Sequence, residues 1–216
     1  MKGLLLTLEG IEGSGKSTQA AALAAALRSA GYPVLSTREP GGTPLSEKIR
    51  DLVLSPDLGS IHPACELLLF MAARAQHVAE RIRPALESGQ VIICDGFTDA
   101  TLAYQGGGRS VPEDLLLRLN ELSTGGLTPD RTYLLDVEVG TGLERAAERP
   151  GRGRDRMERE GAAFFQAVRG RYLELAAAEP ERIRILRGTD SRESLSRQIE
   201  VDALTLLQSR VPHPPR

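Results

Sequence analysis

Between residues 10 and 17 the chain reads Gly10-Ile11-Glu12-Gly13-Ser14-Gly15-Lys16-Ser17, a G-x-x-x-x-G-K-[ST] run. Glycines at these spacings let a loop turn so that its backbone N–H groups converge on phosphate oxygens, and a helix opening behind it adds partial positive charge. In such a loop Lys16 is expected to reach the β- and γ-phosphates and the Ser17 hydroxyl to ligate Mg²⁺, with Gly10 through Thr18 lining the nucleotide. The chemistry implied is phosphoryl transfer from a nucleoside triphosphate. Lys2, Lys16 and Lys48 are the only lysines in an arginine-rich chain, which points to a specific demand for lysine at position 16. Glu12 is out of place by this logic, because a carboxylate beside triphosphate is repelled unless it faces a metal or a sugar hydroxyl. A second metal-holding carboxylate is expected at Asp95, which ends the apolar run Val91-Ile92-Ile93-Cys94-Asp95; Asp136 ends another such run and is an equal candidate by pattern.

These groups need elements to position them. Apolar segments from Gly3 to Leu8, Val34 to Thr37, Val91 to Asp95, Thr132 to Asp136 and Ile183 to Leu186 read as buried parallel strands. Helical patterns run from Lys16 to Ala30, Pro63 to Leu86, Glu113 to Leu122, Gly142 to Glu148, Gly161 to Ala178 and Glu193 to Gln208. Strand and helix in alternation predict an α/β protein of the P-loop NTPase fold, a five-stranded parallel sheet flanked by helices on both faces. Ligands should then bind beyond the carboxyl ends of the strands. One domain is expected over residues 1–210, with a short mobile lid at about 149–157, where arginine and glycine are too dense to form a core, and a flexible tail at 211–216.

A net charge of -2 over 216 residues gives no reason to expect nucleic acid as a partner, which would call for a dense positive surface. Cys65 and Cys94 are too few for a disulfide framework and, lying in apolar runs, read as buried free thiols, which fits a reducing cytoplasm. The first strand leads straight into the phosphate loop without a signal sequence, and no apolar run approaches a membrane span, so no membrane association is expected.

Phosphate binding alone leaves a GTPase switch, a mechanical ATPase and a small-molecule kinase open. The guanine-reading N-K-x-D segment is missing, since Asn120 is the sole asparagine and stands in Leu119-Asn120-Glu121-Leu122. A kinase needs an acceptor pocket and a way to exclude water. Arg149, Arg152, Arg154 and Arg156 could fold over the triphosphate, and Arg38-Glu39-Pro40-Gly41-Gly42-Thr43 and Tyr104-Gln105-Gly106-Gly107-Gly108-Arg109 follow strands where an acceptor would lie. Phe70 and Arg74, four apart on one helix face, could hold a base between them, although a core Phe beside a surface Arg fits the spacing equally well.

Taken together, the phosphate loop with its internal acidic residue, Arg38 to Thr43, Phe70 to His77, Tyr104 to Arg109 and Asp155-Arg156-Met157-Glu158 resemble the bacterial thymidylate kinases, which make dTDP from dTMP and ATP. The resemblance implies ATP as donor, Mg²⁺, dTMP as acceptor and a homodimer. It also implies that Phe70 stacks on thymine, Arg74 bonds its carbonyl edge, Gln105 bonds its imide edge and Pro40 packs beside the ring, with Arg38 and Thr101 among the acceptor-binding residues. Glu12 is implied near the sugar 3′-hydroxyl and Tyr104 where a 2′-hydroxyl would collide. The subclass lacking a basic residue inside the loop carries its catalytic arginine in the lid, which makes Arg149 the first choice beside Lys16, followed by Arg154 and Arg156.

One departure stands out. The family usually has Asp-Arg after the third strand, the arginine gripping the acceptor phosphate, whereas this chain has Asp95-Gly96-Phe97. Either Arg38 or Arg109 replaces that grip, or dTMP binds weakly. The competing expectations are a kinase of another pyrimidine monophosphate and a non-catalytic nucleotide-binding regulator, the latter favoured by Gly96 alone.

Overall fold

Leu4, Leu6 and Leu8 alternate with Leu5, Thr7 and Glu9 along the first strand, and all six are buried, which requires a strand covered on both faces. The computed structural model, which describes residues 3–148 and 155–210, puts that strand at the centre of one parallel sheet. In chain order the elements are β1 (Leu4–Glu9), α1 (Lys16–Ser29), β2 (Val34–Arg38), α2 (Pro44–Leu54), α3 (Pro63–His77), α4 (Arg83–Glu87), β3 (Val91–Asp95), α5 (Thr98–Thr101), α6 (Glu113–Thr124), β4 (Arg131–Asp136), α7 (Val139–Ala147), α8 (Ala162–Ala178), β5 (Ile183–Arg187) and α9 (Arg192–Arg210). A wide π turn, Val78–Ile82, joins α3 to α4, and another, Leu102–Gly108, prolongs α5. The strand order is β2-β3-β1-β4-β5, with Leu4 opposite Val91 and Leu6 opposite Arg131.

The alternation along β1 sorts the two cores. Leu4, Leu6 and Leu8 join Ile93 and Leu135 against Leu23 and Leu27 of α1 and Ile199 and Leu207 of α9. On the other face Leu5, Ile92 and Cys94 pack on Val78, Ile82 and Phe97, while Leu134 meets Leu116, Phe165 and Val168. Each such fully buried side chain contributes about 1.5–3 kcal/mol of transfer free energy. Thr7 and Glu9 share this second face, where Thr7 Oγ1 and Thr132 Oγ1 lie 2.8 Å apart and satisfy each other.

Two helices exceed the sequence reading. Helix α2 begins as the rules prescribe, with Thr43 capping the Ser46 N–H at 3.1 Å, Pro44 in the first turn, and Ser46, Ile49 and Val53 buried on one face. The glycine triplet 106–108, for which the sequence suggested no element, is helical. A Cβ on Gly107 would stand 2.8 Å from the Ala167 carbonyl oxygen, and one on Gly108 2.3 Å from the Phe164 ring, so these glycines let α8 approach closely. Cys94 is buried, but Cys65 is exposed in the first turn of α3, contrary to expectation. Among the described residues no helix is long and apolar enough to cross a membrane.

Candidate active site

The loop between β1 and α1 is held open by glycines at positive φ: Gly10 at 141°, Gly13 at 71° and Gly15 at 98°. Lys16 Nζ donates to the carbonyl oxygens of Gly10 at 2.7 Å and Ile11 at 2.9 Å, which curls its ammonium back over the loop. Ser14 Oγ is buried with no hydrogen-bond partner among the described residues. Ser17 Oγ, in the first turn of α1, donates to Asp95 Oδ2 at 2.5 Å. Asp136 is instead bound through both oxygens by Arg169, at 2.7 and 3.0 Å, so of the two candidate carboxylates Asp95 is the one beside Ser17. Among the described residues no three His, Cys, Asp or Glu converge as a metal cage. Ser17 and Asp95 nevertheless offer hard oxygens of the kind Mg²⁺ takes when phosphate and water complete its octahedron.

From this loop a cavity of about 440 Å³ extends beyond the ends of β1, β2 and β3. Arg74, on α3, lines it with only 4% of its surface exposed. Its Nε donates to Glu39 Oε2 at 2.7 Å, and its terminal nitrogens donate to Thr101 Oγ1 at 2.9 Å, Asn120 Oδ1 at 2.6 Å and the Phe97 carbonyl at 2.9 Å. The guanidinium plane is therefore fixed before any ligand arrives. Glu39 also meets His77 Nδ1 at 3.0 Å. Burial alone would raise the Glu39 carboxyl, but Arg74 and His77 outweigh it and hold it below the usual carboxylate range.

Tyr104 OH lies 3.4 Å from Glu12 Oε1; burial and that carboxylate keep the phenol protonated far above its ordinary range, so it donates. Glu9, at the end of β1, accepts from the Phe97 N–H at 2.7 Å and the Tyr172 hydroxyl at 2.8 Å. Burial, with Asp99 nearby, pushes the Glu9 carboxyl up to about 8.

Lys16, Ser17, Thr18, Gly10, Gly15, Glu12, Arg38, Pro40, Phe70, Arg74, Asp95, Thr101, Tyr104 and Gln105, all named from the sequence, border this one cavity. Ile11, Gly13 and Ser14 belong to the loop without bordering it; Ile11 is buried in the core with Val137 and Val139. Arg149, Arg152 and Arg154 lie outside the described residues. Arg156 corrects the expectation of a catalytic role. Its backbone N–H bonds the Leu54 carbonyl at 3.0 Å, its Nε the Val53 carbonyl at 2.8 Å and its NH2 group Glu66 at 2.5 Å, so it anchors the returning chain and does not border the cavity. Arg109 is held by Glu66 and Glu160, also off the cavity wall, which removes it as the substitute for the missing arginine. Sequence reasoning missed Arg50, which sits on the unread helix α2, borders the cavity and donates to the Pro40 carbonyl at 2.9 Å. It also missed Glu9, Glu39, Glu66, Asn120 and Tyr172, whose partners are distant in the chain.

A triphosphate cradle and a pocket of aromatic and polar side chains that share one cavity define a P-loop nucleotide kinase. The thymidylate kinase family model matches residues 8–199, and the chain belongs to that family. It is 52% identical over 201 residues to a thymidylate kinase of Pseudomonas putida, covering 93% of this chain and 94% of that one. A thymidylate kinase of Pelobacter propionicus is 48% identical over 206 residues, 94% of each chain. Among solved structures, a thymidylate kinase from Ehrlichia chaffeensis superposes with a TM-score of 0.73 at 31% identity, covering 96% of this chain and all of that one.

Proposed function

We propose that the chain transfers the γ-phosphoryl group of ATP to dTMP, giving dTDP and ADP. The observation that carries this reading is the continuity of one cavity from Lys16 and Ser17 to Phe70, Arg74 and Gln105. Thymine stacks on Phe70 with Pro40 beside it, its 4-carbonyl faces Arg74, and its imide N–H faces the Gln105 carbonyl. Glu12 takes the 3′-hydroxyl, and Tyr104 crowds out a 2′-hydroxyl.

Arg38 and Arg50 grip the acceptor phosphate in place of the arginine absent at Gly96. Both border the cavity, on either side of Pro40 in sequence. An acceptor phosphate oxygen then attacks in line, helped by positioning and by cationic groups more than by a general base. Lys16 holds the transferring phosphoryl group, and Arg149 or Arg154 brings further positive charge from the lid. Ser17 and Asp95 would hold Mg²⁺, which when bound supplies positive charge against the triphosphate oxygens.

The enzyme acts in the cytoplasm as a homodimer; exposed Leu68 and Leu122, on the packed helices α3 and α6, are the kind of surface a second copy covers, and light scattering of the purified chain should give twice the monomer mass. Incubation with ATP, Mg²⁺ and dTMP followed by chromatography should yield dTDP and ADP in equal amounts. ADP formed without dTDP would make the chain a hydrolase instead.

A further inference from the structure

A glutamine side chain is a poor discriminator on its own. Turned one way it offers a carbonyl to the imide N3–H of thymine; flipped, it offers an N–H to the bare N3 of cytosine at little cost in shape. Something must fix which end faces the ligand.

Glu66 of α3 has no exposed surface. Its Oε1 accepts from Gln105 Nε2 at 3.0 Å and from Arg109 Nε at 3.3 Å, and its Oε2 accepts from Arg109 at 3.3 Å and Arg156 at 2.5 Å. Burial alone would raise its carboxyl, but hydrogen bonds from Arg109, Gln105 and Arg156 hold it below the usual range, so it stays ionised and can only accept. A flipped Gln105 would set its carbonyl oxygen against that carboxylate, losing a charge-assisted bond and adding repulsion.

We propose that Glu66 is a specificity-determining positioning residue: by accepting from Gln105 Nε2 it locks the amide with its carbonyl toward the ligand, so that bases with an N3–H are bound and bases with a bare N3 are refused. The inference rests on the reading that Gln105 faces the acceptor base. Arg109 and Arg156 belong to the device, because they keep the lock charged and tie it to the chain returning at residues 155–160. Arg74, held by Glu39, is left to reject the 4-amino group, so removing the lock weakens discrimination without abolishing it.

The test is Glu66→Gln, whose amide can pair with Gln105 in either orientation. Purified enzyme is assayed with dTMP, dUMP and dCMP, and ratios of kcat/KM are compared because they do not depend on the folded fraction. The dTMP to dCMP ratio should fall by about tenfold, the net worth of one hydrogen bond no longer held in a single direction. The dTMP to dUMP ratio should stay within about twofold, since both bases present the same imide edge. Glu66→Asp, which keeps an acceptor-only group, should retain most of the selectivity even if overall activity drops. An unchanged dCMP ratio, or both ratios falling together, would overturn the proposal.

If Glu66→Gln does not fold, the wild-type chain still decides the matter. The Gln105 Nε2 protons, assigned by their loss in Gln105→Ala, should exchange slowly before dTMP is added; protection appearing only with dTMP would mean that the nitrogen faces the ligand. Failure of the underlying reading looks different: Gln105→Ala would leave the KM for dTMP unchanged.

Discussion

The proposed donor end of the cavity is one contiguous loop whose backbone faces the phosphate site, whereas at the proposed acceptor end Arg74 and Gln105 are oriented by buried carboxylates remote in sequence. Gly10 to Ser17 needs little more than glycines at positive φ and one helix N-terminus. Arg74, by contrast, is set by Glu39 from 35 positions away and Gln105 by Glu66 from 39. Phosphate is the same in every nucleotide, so a local backbone device suffices for it. Base identity is read by a few hydrogen bonds whose direction must be fixed, and fixing it takes buried carboxylates held by the tertiary fold.

Substitutions at the two ends should therefore fail differently. Lys16→Ala removes charge from the transferring phosphoryl group, and kcat should drop by at least about 10³-fold with the KM for dTMP little changed. Steady-state kinetics with both substrates varied would show this; activity kept within about tenfold would break the donor assignment. At the acceptor end Arg38→Ala and Arg50→Ala should each raise the KM for dTMP by about tenfold, roughly the value of one charge-assisted contact, with kcat less affected.

Gly96→Arg sharpens the same point with a smaller effect. Gly96 has φ of 79°, and a Cβ there would sit 3.4 Å from the Glu39 carbonyl oxygen, so an arginine would fit only with backbone strain. If Arg38 and Arg50 hold the phosphate as proposed, the KM for dTMP should change by less than about threefold. A sharp fall would mean that the native chain binds its acceptor weakly.

The smallest effect is on stability. Glu9 keeps its proton up to about pH 8 when folded, while in the unfolded chain it releases it near the ordinary value of 4.5. Across that window the unfolded state binds fewer protons, so raising the pH lowers stability, and the loss is complete above the folded value. The melting temperature of the ligand-free chain should decline from pH 5 to pH 8, and Glu9→Gln should flatten that decline. A wild-type slope that survives in Glu9→Gln would place its origin elsewhere.

The phosphate loop was legible as a loop because its residues are neighbours in the chain and its backbone geometry follows from residue type. The five strands were legible for a similar reason: buried parallel strands are continuous apolar runs, and their bounds moved by a residue or so. Gly107 and Gly108 serve packing against α8 rather than turning, a role that residue type alone does not reveal. The segment around α2 was passed over despite its Thr43-Pro44 start, and Arg50 was lost with it. Asp95 and Asp136 could not be separated by pattern because both end apolar strands, and β3 and β4 both flank β1; only the side-chain contacts tell them apart, Ser17 meeting Asp95 while Arg169 takes Asp136. Arg156 shows the reverse error, an arginine in a charged run that turns out to be buried and structural.

The most direct test of the account is the initial rate with ATP and Mg²⁺ across dTMP, dUMP, dCMP and dAMP under identical conditions. The account predicts the highest kcat/KM for dTMP, dUMP next through the shared imide edge, and dCMP and dAMP far below. Preference for dCMP, or no transfer to any acceptor, would contradict it.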